Sequence, residues 1–135
     1  MAFKPFIEIK NKIVKLLPGQ LQTRLPKEVV IVDVGEKTAQ RLNRKYRKKD
    51  APANVLSFRY GSEYGEILVC PLVVRREAKA AGNSFDNQMT WMVVHGMLHL
   101  AGMHHEQSPK IAQRVVEIEQ RILSQINARE RSVKR

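Results

Sequence analysis

Residues 84–105 read SFDNQMTWMVVHGMLHLAGMHH. Ser84 is a helix N-cap type, and Asp86 suits the positive end of the helix that would follow from Phe85. From Trp91 to Ala101 the run is apolar on nearly every side, broken only by histidines and Gly96. A helix of that kind is buried, so it predicts the centre of the molecule. Gly102 can take the left-handed conformation that ends the helix and turns the chain back.

The same stretch carries the chemistry. At about 100° per residue, positions four apart on a helix diverge by only about 40°. His95 and His99 therefore project from one face, one turn apart. The turn at Gly102 can bring round His105 as a third ligand, with the adjacent His104 as the alternative. Three neutral imidazoles leave one tetrahedral position open, the arrangement of a catalytic zinc site. A lone histidine on an apolar helix is more often a hydrogen-bonded core residue. Two at this spacing, followed by a helix-ending glycine and a third histidine, favour a metal. Buried imidazoles without partners would each cost about 1–3 kcal/mol, and a metal removes that cost. The spacing also matches the metzincin signature at all three histidines and the glycine, but Gly96 stands where a metalloprotease keeps its glutamate base. Glycine cannot accept a proton, which argues against peptide hydrolysis.

Working outward, Phe6, Ile9, Ile13, Leu16 and Leu17 follow a helical rhythm closed by Pro18-Gly19, with a short strand over 6–9 as the competing reading. Val29–Val34 is β-branched and predicts a strand. Residues 36–48 predict a cationic helix with Ala39, Leu42 and Tyr46 inward. Val55–Tyr60 and Glu66–Cys70 predict a hairpin, Pro71 opens a helix to about Ala81, and Ser108-Pro109 starts a last helix. Its inward stripe is Ile111, Val115, Ile118, Ile122 and Ile126, and residues 128–135 read as a basic tail. The expected fold is α+β: one domain over 1–135, a small mixed sheet of three to four strands, four to five helices, and a zinc site at the end of the buried helix.

The 135 residues suit one core, and 43% hydrophobic with 27% charged residues argues against a disordered chain. No run approaches the roughly 18 apolar residues of a membrane span. A single cysteine, Cys70, excludes an internal disulfide framework and reads as a buried small hydrophobe. These features predict a soluble cytoplasmic protein. The net charge of +11 predicts a polyanionic partner, nucleic acid first. Residues 61–106 alone are net negative, with three cations against five anions, and all four histidines lie at their end. A chemical centre in one region and a polyanion-binding surface in others follows from that contrast. Arg41, Arg44, Lys45, Arg47, Lys48 and Lys49 put six cations in nine positions, able to follow phosphates.

The run His-Gly-x-Leu-His-Leu-x-Gly-x-x-His from His95 to His105 resembles the signature of the YbeY endoribonuclease family of ribosomal-RNA maturation factors. Leu42-Asn43, Tyr46-Arg47, Asp50, Pro52 and Asn54–Phe58 resemble a second block, and Gly65-Glu66-Ile67 a third, over about residues 28–107. His104 stands where the family usually has aspartate, Met103 replaces tyrosine, Glu66 replaces aspartate, and Arg59 stands where proline is common. The resemblance implies zinc-dependent, single-strand-specific cleavage of RNA, in small-subunit ribosomal RNA maturation and ribosome quality control. It implies one Zn2+ per chain at His95, His99 and His105, with Arg47 as the catalytic arginine. Single-stranded ribosomal RNA and the ribosome are the expected partners, with neither membrane nor small-molecule cofactor. Arg41, Arg44, Lys45, Lys48, Lys49 and Arg59 are the expected RNA contacts. The alternatives are a non-catalytic, metal-stabilised assembly factor or a metalloprotease.

Overall fold

The structure of the protein is a computed structural model that describes residues 4–104 and 106–133. Helices α1 (Lys4–Leu16) and α2 (Gly19–Gln22) come first, then strand β1 (Glu28–Asp33) and helix α3 (Glu36–Arg47). Strands β2 (Val55–Tyr60) and β3 (Tyr64–Val69) follow, then α4 (Pro71–Ala81), α5 (Phe85–Leu100) and α6 (Pro109–Val133). The sheet order is β1-β3-β2, with β1 parallel and β2 antiparallel to β3. The sheet is therefore mixed, as the α+β reading expects.

The segment over 6–9 is helical, as the main reading of the first stretch expects, and the competing strand is not formed. Sequence and structure part in three places. Helix α2 adds a single turn and brings the helices among the described residues to six, and α6 runs to Val133, so residues 128–133 continue a helix where a tail was expected. Tyr46 is the third. The residue is 56% exposed, against the inward position that helical spacing gave it. Its ring leans edge-on against Phe58 of β2 at 5.0 Å between centroids. Cys70 is 1% exposed, as a small hydrophobe should be.

Helix α5 is the centre of the core. Met89, Val93, Val94, Met97, Leu98 and Leu100 are all buried on it. Ser84 caps its start, accepting from the Asn87 amide at 3.0 Å. Gly102, at φ +89°, closes its end, with Gly102 N–H donating to His99 O and Met103 N–H to Leu98 O. That pair of bonds is a Schellman motif, and it needs the left-handed glycine that the sequence offers.

Helix and sheet meet through two reciprocal glycines. A Cβ on Gly96 would lie 2.9 Å from Ile67 Cγ2 and 3.1 Å from Ser57 Oγ. A Cβ on Gly65 would lie 3.0 Å from Pro26 Cγ and 3.3 Å from Leu100 Cδ1. Each element gives up a side chain where the other projects one. The Ser57 hydroxyl then donates to Gly96 O at 3.1 Å, joining β2 to mid-helix.

Gly96→Ala tests this contact. Alanine should gain about 1 kcal/mol of helix propensity, but the clash falls on a β-branched side chain that cannot swing away. Overpacking of this kind costs about 1–3 kcal/mol, so the variant should melt below the parent by several degrees. A melting temperature at or above the parent's would show that the gap widens without cost.

Candidate metal centre and groove

His95 and His99 face the same way from α5, their ring centroids 4.4 Å apart. The turn at Gly102 returns His104 to within 4.7 Å of His99, centroid to centroid. One donor atom each from His99, His104 and Glu106 all lie within 4.8 Å of one another. His105, the third ligand that the resemblance implies, lies outside the described residues. Among the described residues, His104 and Glu106 are the groups that join His99.

A partner that the sequence did not reveal stands behind His95. Its Nδ1 lies 2.7 Å from Oε2 of Glu119, a carboxylate only 4% exposed on α6. An Nδ1–H held by that carboxylate leaves Nε2 as the lone-pair nitrogen, the tautomer a metal needs. Imidazole nitrogens and a carboxylate oxygen are a donor set that zinc accepts. The residues fit a metal. Glu119 could have been suspected from the pattern, since it sits on the inward face of α6, between Val115 and Ile122.

The histidines open into a cavity of about 850 Å3. Arg47, at the end of α3, lines it beside Tyr46 and Phe58, and the wall continues over Trp91 and Gln88. A second hollow of about 530 Å3, lined by Arg24, Ser57 and Arg59, also reaches His99 and His104. The two rings therefore stand where two recesses meet.

The other cations divide. Of the cluster on α3 and the loop after it, Arg47 lines the large cavity, while Arg41, Arg44, Lys45, Lys48 and Lys49 are exposed. Arg44 is paired with Asp50, donating from Nε at 3.0 Å as well as from Nη2. Hydrogen bonds from Arg44, then Gln40, hold the Asp50 carboxyl below its usual range. Lys48 ends α3 at φ 57°, and the Asn43 amide ties the return loop by donating to Ala51 O at 2.8 Å. Arg59 donates from Nη1 to Leu100 O at 2.6 Å and to Arg24 O at 2.5 Å. Its guanidinium ties the last carbonyl of α5, where the helix dipole favours a cation, to the loop after α2.

Fold and groove together define a class: a small α+β domain with a histidine–carboxylate centre beside an arginine-lined groove. A sequence profile described as endoribonuclease YbeY matches residues 3–127. The chain belongs to the YbeY endoribonuclease family. It is 33% identical over 123 residues to the endoribonuclease YbeY of Thermotoga maritima, covering 86% of this chain and 82% of that one. With the Aromatoleum aromaticum endoribonuclease YbeY it shares 40% over 100 residues, covering 72% of this chain and 64% of that protein. A solution structure of a Thermotoga maritima protein superposes with a TM-score of 0.63 at 28% identity, over 97% of this chain and 89% of that one. Membership supports an RNA endonuclease role. Among the described residues, no helix is long and apolar enough to cross a membrane.

Proposed function

We propose that this protein is a zinc-dependent, single-strand-specific endoribonuclease acting in the maturation of small-subunit ribosomal RNA and in ribosome quality control. The observation that carries the reading is the meeting of Arg47 and the histidine cluster on one cavity. Recesses on both sides of His99 leave room for a strand that passes through, as internal cleavage requires.

His95 and His99 would hold the metal, with His104 or His105 in the third place and Glu106 within reach. Bound zinc supplies a Lewis acid that polarises a phosphodiester oxygen and lowers the pKa of water. Glu119 orients the His95 ring and keeps its proton on Nδ1. Arg47 brings a planar fork of donors to the phosphate oxygens and offsets the charge that grows on them. Ser57 is committed to Gly96 O and serves structure, not attack. A glutamate at position 96, which peptide hydrolysis would need, would have to displace Ile67.

Incubation with single-stranded ribosomal RNA, with and without chelator, tests the proposal. Chelator-sensitive cutting is the expected result. Uncut RNA with folded, zinc-loaded protein would leave a non-catalytic assembly factor. The carboxylate behind His95 gives a separate test. Glu119→Gln should weaken zinc binding by about 10–100-fold in a competitive chelator titration. Unchanged affinity would remove Glu119 from the centre.

A further inference from the structure

One part of the large cavity's lining has a chemistry different from that of Arg47. Glu77 of α4, Asn54 ahead of β2, and Gln88 and Trp91 of α5 line it. Asn54 takes the Val55 amide on Oδ1 at 2.7 Å and donates from Nδ2 to Glu77 Oε1 at 2.9 Å. This pair of bonds fixes the carboxylate against the wall. Gln88 is only 4% exposed, and its Oε1 accepts from Asn83 Nδ2 at 3.0 Å. With the carbonyl so held, the amide Nε2 is the group that Gln88 has to offer the cavity. Gln88, Trp91 and His95 lie at i, i+3 and i+7, one stripe of α5 running from amide to imidazole over about 10 Å.

A carboxylate repels phosphate, so this part does not suit the backbone of a nucleic acid. It suits a base. Exposed bases of single-stranded RNA are read on their hydrogen-bonding edges and stacked on aromatic rings. Guanine is the base whose Watson–Crick edge sets two donors, N1–H and the 2-amino group, beside an acceptor, O6. We infer that this part is a guanine-binding subsite: Glu77 accepts from N1–H and the 2-amino group, Gln88 Nε2 donates to O6, and Trp91 gives the stacking face. The inference rests on the nuclease reading of the same groove and adds a base preference near the cleaved bond.

Trp91 is the chain's single tryptophan, so its fluorescence reports this part directly. Titration with the 5′-monophosphates of guanosine, adenosine, cytidine and uridine should quench it, with the guanosine nucleotide bound about 10-fold tighter than the other three. Glu77→Gln should cut that preference below about threefold. Gln88→Met, which keeps the carboxylate, should reduce it less. Circular dichroism checks that both variants fold. Four nucleotides bound within about twofold of one another, or none quenching, would overturn the subsite. Guanosine selectivity in a protein that never cuts RNA would support the subsite and sink the nuclease reading. Cutting without base preference would do the reverse.

Discussion

His99→Ala should abolish RNA cleavage and lower zinc content below one ion per chain. Its ring stands between two others, 4.4 Å from His95 and 4.7 Å from His104 by centroids, and it shares the donor cluster with Glu106. Removing the middle ring takes away the group that His95, His104 and Glu106 all approach. The variant should still fold, because the packing of α5 depends on Val93, Val94, Met97 and Leu98, all 0% exposed. Elemental analysis beside a cleavage assay on single-stranded ribosomal RNA reads both effects. Full metal occupancy in the folded variant would refute the ligand assignment.

Arg47→Ala should separate chemistry from metal binding. The side chain is exposed, and such positions usually shift stability by no more than about 0.5 kcal/mol. Zinc content and melting temperature should therefore match the parent's. Turnover should fall by about 100- to 1000-fold, the cost of losing one donor that faces charge developing in a transition state. Arg47→Lys should recover only part of it, since an ammonium cannot present the planar fork. Normal turnover in Arg47→Ala would remove Arg47 from the mechanism.

Much of this was legible in the chain because the signals are local. Histidines four apart on an apolar helix announce a shared face, Gly102 announces the turn after it, and the β-branched run over 29–34 announces β1. The first helix was ambiguous because Phe6, Ile7 and Ile9 suit either period. Tyr46 misled because helical spacing locates a face without telling whether the neighbouring layer extends that far. Glu119 lies 24 positions from the histidine it holds, and Glu77 lies 23 from Asn54. Contacts of that separation follow from how α4 meets the start of β2 and how α6 stacks on α5, which no local pattern carries. The cationic run on α3 was plain, but its division into Arg47 at the groove and Arg44 bound to Asp50 needed coordinates.

The paired glycines between α5 and β3 act as a detent. Slid by one turn along the strand, the helix would set Met92 or Leu100, four residues either side of Gly96 on the same face, against Ile67, where there is no space for either. The helix is thus denied the gliding motion that packed helices often have. The imidazoles keep their height above the sheet whatever the groove is holding. The aim of the histidine cluster is set less by the residues that would grip an ion than by two positions with no side chain at all.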